Sequence, residues 1–264
     1  MEENRQEDGK KTVISMISYL IANIIGMAVS LIALPILTNL LSTEEMGIAT
    51  SFGTLKNIVT LILLLSMYIS IDKIFVTLKE KGERYKFLSS IYIFSTIVAL
   101  FIYLIYFVFR NTLNNFLGFD TKLMTLMFIM CICINGCTLM VGFWNFCNKS
   151  KNTFLYNLFV SPVSQILSII LVYTLTSQKY LGRIIGVEFF NIILGLFCGG
   201  LILVRGKFAV KKQYVKESLL ISLPMIPHLL AQVFLSSCDL LMIKNISGES
   251  YAGIYSVAFS ISNI

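Results

Sequence analysis

Long, continuously apolar runs joined by short polar connections make up most of this chain, and they leave few folds open to it. Seven can be marked, at 13–41, 47–71, 87–109, 123–147, 152–176, 184–204 and 218–243, and an eighth begins at Ala252. A membrane-crossing helix needs about 20 mostly apolar residues. Barrel strands are about ten residues long and alternate apolar with polar; these runs do neither. Charged residues are 13% of the chain and apolar residues 56%, whereas a soluble domain carries about 25% charge. The expected fold class is an all-α polytopic membrane protein.

The net charge of +7 raises the question of nucleic acid, and its placement answers it. Fifteen Lys and Arg fall in the amino terminus and the even-numbered connections, five in the odd-numbered ones, and Lys56 lies inside a run. Such a bias marks the cytoplasmic side, so the amino terminus is expected inside. The basic residues then report orientation and contact with anionic phospholipids, with no nucleic-acid partner. The first twelve residues mix both charge signs, and the first run is too long for a cleavable signal. Six cysteines, Cys131, Cys133, Cys137, Cys147, Cys198 and Cys238, all fall in or at the ends of runs. No disulfide framework, metal site or cofactor is expected from them.

An internal repeat is visible. Gly47-Ile48-Ala49-Thr50 leads on to Asn57-Ile58, and Gly253-Ile254-Tyr255-Ser256 leads on to Asn263-Ile264, at a constant offset of 206 residues. An even number of runs separates the copies, so both enter the membrane in the same direction. That predicts a parallel repeat about an axis along the membrane normal. The expected organisation is a six-helix amino-terminal bundle at 1–204, a basic cytoplasmic linker at 205–217, and the start of a second bundle at 218–264, incomplete within these residues.

Local signals single out several side chains. Ser42-Thr43-Glu44-Glu45 fits a capping box, predicting a tight external hairpin between the first two helices. Lys56 sits about 14 Å along its helix at 1.5 Å per residue, and a membrane lysine costs about 2.5–3.5 kcal/mol on insertion scales. It either snorkels outward or faces a cavity as an anion-binding cation, flanked by Asn57 and on one face with Gly53 and Thr60. Ser18, Ala22, Gly26 and Ser30, with Asn23 beside them, form a small and polar stripe. Close helix packing and a polar cavity wall both fit it. Pro35 is a hinge candidate, as are Pro224 and Pro227, which should interrupt the ladder of the seventh helix next to His228 and Gln232. His228 is a candidate for cargo binding or protonation. Asp239 and Glu188 are carried as ion-coupling candidates, although each lies near a run end beside a basic residue and reads as interfacial. Trp144 reads as an interfacial anchor.

At this point the residues resemble a known family. The stretch Leu34-Pro35-Ile36-Leu37-Thr38-Asn39-Leu40-Leu41-Ser42-Thr43-Glu44-Glu45-Met46-Gly47 looks like the first-to-second helix signature of bacterial polysaccharide flippases. These belong to the multidrug/oligosaccharidyl-lipid/polysaccharide exporter superfamily. Gly182-Arg183-Ile184-Ile185-Gly186 resembles the start of their sixth helix. Leu223-Pro224-Met225-Ile226-Pro227-His228, Asp239 and the second Gly-Ile copy resemble their seventh and eighth helices. One departure is Asp239-Leu240, where the family often places arginine after the acid.

The resemblance implies twelve to fourteen helices in two lobes around a central cavity, in the bacterial cytoplasmic membrane. It implies export of a polyprenyl-diphosphate-linked oligosaccharide by alternating access, often coupled to an ion gradient, alongside a polysaccharide polymerase and glycosyltransferases. Lys56 would attract the diphosphate, and Asn23, Asn57 and Gln232 would hydrate the sugars. The alternatives are a multidrug or cation exporter of the same superfamily, and an inactive fragment or scaffold. A membrane enzyme is disfavoured because no loop is long enough to carry a catalytic domain.

Overall fold

The computed structural model describes residues 20–262 except 22, 23 and 148. Ser18, Ala22 and Asn23 therefore lie outside the described residues. The described residues fold into helices without strands: α1 (Ile24–Leu40), α2 (Thr43–Leu63), α3 (Ser70–Thr77), α4 (Lys81–Leu117), α5 (Thr121–Phe146), α6 (Ser150–Thr174), α7 (Lys179–Arg205), α8 (Lys212–Ser247) and α9 (Glu249–Ser262). Six of them are long and apolar enough to cross a membrane, and the protein is a multi-pass membrane protein.

The capping box is formed. Ser42 Oγ accepts the Glu45 N–H at 3.1 Å, and Glu45 Oε2 accepts the Ser42 N–H at 3.1 Å. The other Glu45 oxygen accepts the Lys179 N–H at 2.9 Å, joining the starts of α2 and α7. Successive helices run up and down between this hairpin end and a basic end. At the basic end Glu83 accepts from Lys86, Lys211 and the Tyr214 hydroxyl, tying α4 to the α7–α8 connection.

The expected run 47–71 is not one helix. It stops at Leu63, Leu65 and Ser66 take left-handed backbone (φ 50° and 48°), and a 3₁₀ turn at Met67–Ile69 leads into α3. Left-handed non-glycine residues cost about 1–3 kcal/mol each, so surrounding packing must hold them. Ser66 and Met67 are buried, and irregular backbone at membrane depth is tolerated where protein covers it. The break turns Phe75 of α3 into a nest of Phe87, Phe143 and Phe146, with centroids 5.3–5.9 Å away. The Ser70 and Ser218 hydroxyls lie 2.6 Å apart, joining α3 to α8. The expected loops also shrink: 72–86 is mostly α3 and α4, and α4 runs on to Leu117.

α7 packs through glycines on two faces. Gly182 and Gly186 are one turn apart, as are Gly195 and Gly199. Nine residues separate Gly186 from Gly195, about two and a half turns, so the pairs point in opposite directions. A Cβ on Gly186 would overlap Ser168 of α6, and one on Gly195 would overlap the Cys133 carbonyl of α5. Gly136 of α5 answers Gly195 and Gly199 in the same way. Small residues at this spacing let backbones approach closely where lipid supplies no hydrophobic drive.

The two repeat copies meet. A Cβ on Gly47 would overlap the Glu249 carbonyl, and one on Gly253 would overlap the Thr43 carbonyl. Thr43 and Glu249 are themselves 206 residues apart, so the contact is reciprocal, as across a two-fold axis. The Thr43 and Ser250 hydroxyls lie 2.6 Å apart beside it. Lys244 of α8 completes this end. It is buried, donates to the Gly118 carbonyl at 3.1 Å and sits 3.2 Å from the Phe119 ring centroid.

The prolines do not end their helices. α8 runs unbroken through Pro224 and Pro227, and α1 through Pro35. A proline forfeits one ladder bond, which a membrane helix with packed neighbours tolerates. Trp144 is half-buried, its ring 6.5 Å from that of Tyr156.

Candidate functional site: a polar cavity beside a buried ion pair

α1, α2, α6 and α7 leave a cavity of about 530 Å³ between them, with Ser260 of α9 at its edge. Its polar wall is Ser30 from α1, Thr50 from α2, Tyr156, Asn157, Ser161 and Gln165 from α6, and Arg183 and Asn191 from α7. The two described residues of the small and polar stripe fit both readings. Gly26 and Ser30 line the cavity, and a Cβ on Gly26 would come within 3.2 Å of Ser161 Oγ. A second cavity, of about 470 Å³, lies towards the basic end and holds Asp72, Thr138 and Asn145. Tyr156 lines both.

The expected run 184–204 leaves Arg183 in a connection, whereas the structure puts it inside α7. It sits four residues into α7, about 6 Å at 1.5 Å per residue, and lines the first cavity. Its guanidinium donates to Gln165 Oε1 at 2.6 Å and Ser168 Oγ at 3.1 Å, both on α6. Among the described residues no carboxylate lies within ion-pair distance of it. A guanidinium carries five N–H donors, so donors remain for an anion.

Lys56 does face inward, but it is not a free cation. It pairs with Glu188 of α7, and the two side chains are 13% and 11% exposed. The interfacial reading of Glu188 is thus overturned. Glu188 is buried because it follows Arg183 by five residues into the span, and its partner is 132 positions distant in the chain. Asn191 donates to the second Glu188 oxygen at 3.2 Å, and Tyr156 donates to Asn191 Oδ1 at 2.8 Å. Thr60 donates to the Lys56 carbonyl at 2.7 Å, and its oxygen lies 3.1 Å from Cys131 Sγ. Removing one partner of a buried pair leaves the other uncompensated, at about 3–5 kcal/mol. Asn191 connects the two features, since it touches Glu188 and lines the cavity.

The remaining candidates lie elsewhere. Asn57, His228 and Gln232 are exposed on their helices and line neither cavity. Asp239 is exposed near the hairpin end, where Tyr255 of α9 donates to it. Sequence reasoning missed Arg183, Asn191 and Tyr156. The start of the sixth run was placed one residue too late to include Arg183, and Asn191 and Tyr156 gain meaning only beside Glu188.

Compared with known proteins, residues 13–264 match the family model described as polysaccharide biosynthesis protein. No curated protein and no solved structure matches the chain. The match runs from the first apolar run through α9 and takes in every helix that lines the cavity, so the chain belongs to the polysaccharide biosynthesis protein family.

Proposed function

We propose that this protein is a flippase that carries a lipid-diphosphate-linked oligosaccharide from the inner to the outer leaflet of the bacterial cytoplasmic membrane. The observation that carries the reading is Arg183, a cavity-lining guanidinium without a carboxylate partner among the described residues. Guanidinium matches phosphate oxygens in fork geometry. The amides and hydroxyls around it, from Asn157, Ser161, Gln165 and Asn191, suit sugar hydroxyls. The role first given to Lys56 thus passes in part to Arg183. Cationic drugs would want an unpaired acid, and the acid beside this cavity is held by Lys56. Glycosyltransferases would supply the cargo and a polymerase would consume it.

The decisive measurement is translocation in proteoliposomes. Movement of a polyprenyl-diphosphate oligosaccharide that depends on the protein is the expected result. Movement of cationic drugs with none of the lipid-linked sugar would overturn the reading.

Alternating access adds a second prediction. The charge bias puts the basic end in the cytoplasm, so the reciprocal α2–α9 contact closes the outer side. Cysteines at Thr43 and Ser250, whose hydroxyls lie 2.6 Å apart, should form a disulfide on oxidation. Transport should stop in that variant and return on reduction, while oxidant leaves the unsubstituted protein unaffected. A disulfide formed without loss of transport would show that this contact never opens.

A further inference from the structure

At the basic end, α4, α8 and the connection between α7 and α8 border a groove of about 630 Å³ that shares no lining residue with either cavity. Its wall is apolar: Phe94 of α4, Val210 of the connection, and Val215, Leu219, Leu220 and Leu223 of α8. Val210, Leu220 and Leu223 are exposed, so the groove is open along its length. It is nonetheless built in advance. Ser90, one turn before Phe94, donates to the Ala209 carbonyl at 3.1 Å and accepts the Lys211 N–H at 3.0 Å, which pins the connection to α4.

Two lysines stand at one end of this groove. Lys212 and Lys216 line it, one turn apart on one face of α8. The charges beside them are already engaged: Lys211 donates to Glu83 at 2.8 Å, and Glu217 accepts from Gln213 at 2.9 Å. Among the described residues, neither Lys212 nor Lys216 has a carboxylate within ion-pair distance. The connection itself turns through Lys207 and Phe208, both left-handed, and leaves the Phe208 ring exposed among Arg205, Lys207 and Lys211. Exposed apolar and basic side chains side by side suit the boundary between headgroups and hydrocarbon.

From Lys212 to Leu223 is about 16 Å at 1.5 Å per residue. That is the depth of one leaflet in a hydrocarbon core about 30 Å thick. The charge bias puts the lysine end in the cytoplasm. The groove therefore has the layout of a single lipid, with cations at headgroup depth and an apolar slot reaching towards the midplane.

We infer that this groove binds an anionic phospholipid of the inner leaflet, with one acyl chain along Leu219, Leu220 and Leu223 and the phosphate against Lys212 and Lys216. A zwitterionic lipid fits the slot but brings a cation of its own to the two lysines. The tail of a cargo held at Arg183 has no wall in common with the groove. The bound lipid bridges α4 and α8, whatever the cavity carries.

The probe is phosphatidylglycerol with a photoreactive diazirine near the end of one acyl chain, added to the full-length protein in phosphatidylcholine nanodiscs. Labelling is expected on the peptides that hold Phe94 and residues 219–223. Excess phosphatidylglycerol should displace it, and excess phosphatidylcholine should not. Lys212→Glu with Lys216→Glu should lower it about tenfold or more, since each lysine near an anionic membrane surface is worth about fivefold. Lys73→Glu with Lys151→Glu, the same charge change at the same end, should leave it unchanged. Leu223→Trp fills the slot from an exposed position and should lower labelling with both lysines in place. Displacement by phosphatidylcholine would make the groove ordinary lipid-facing surface and overturn the inference. Displacement by polyprenyl diphosphate in place of phosphatidylglycerol would hand the groove to the cargo and overturn it too. So would equal loss in the Lys73 and Lys151 control, or full labelling in either groove variant.

Discussion

Leucine in place of Gly195 should leave little folded protein in the membrane, while leucine at Gly200, five residues along the same helix, should be accepted. A Cβ at Gly195 would overlap the Cys133 carbonyl of α5, whereas one at Gly200 would meet nothing within 4 Å. Overpacking costs about 1–3 kcal/mol where side chains can shift. Here the obstacle is backbone, so α5 and α7 must separate instead. Separation would also part Gly136 from Gly199 and open the core around Asn135, which is buried and donates to Ser95 of α4 at 2.8 Å. The amount of protein surviving detergent extraction and a heating step should fall about tenfold or more for Gly195→Leu, since losses of this size consume much of a marginal stability. Equal recovery of both variants would mean that α5 and α7 do not meet through glycine.

Arg183→Ala should lower the rate of lipid-linked sugar translocation about 10–100-fold, matching the loss of charge-assisted hydrogen bonds worth about 1.5–3 kcal/mol. Folding should be spared, because the variant strands no acid: the present partners of Arg183 are an amide and a hydroxyl. Arg183→Lys should recover part of the rate. A lysine restores the charge but not the planar fork that grips two phosphate oxygens. Arg205→Ala is the control, since Arg205 stands at the basic end and donates to the Tyr85 hydroxyl. An Arg183→Ala protein that transports at the wild-type rate would remove the observation on which the proposed function stands.

Much of the architecture can be read from the chain, for reasons these residues make plain. Apolar length marks the spans, because hydrocarbon thickness sets it. Ser42 and Glu45 announce the hairpin because a capping box is a local contract over three residues. The Gly-Ile repeat can be read as a duplication, but that its two copies pack on each other through Gly47 and Gly253 is seen only in the structure. The break after Leu63 carries no such notice. Leu64, Leu65 and Ser66 contain neither glycine nor proline, and the turn is held by where Phe75 finds its aromatic neighbours. Pro224 and Pro227 lie inside the expected run 218–243, and α8 continues through both. The candidate site was legible only in halves. Lys56 stands out as a cation in an apolar run, but its acid lies on α7, and no local pattern links positions 132 apart. Arg183 looks like a loop charge until α7 is seen to begin at Lys179.

The carboxylate of Glu45 holds the Ser42 N–H with one oxygen and the Lys179 N–H with the other. Lys179 Nζ adds a bond to the Leu40 carbonyl at 3.1 Å. One side chain thus welds the first turn of α2 to the first turn of α7. Whatever parts Gly47 from Gly253 must take α7 along, and with α7 go Arg183 and Glu188. The α2–α9 contact and the arginine of the cavity wall are therefore mechanically joined, so the first cannot part without moving the second.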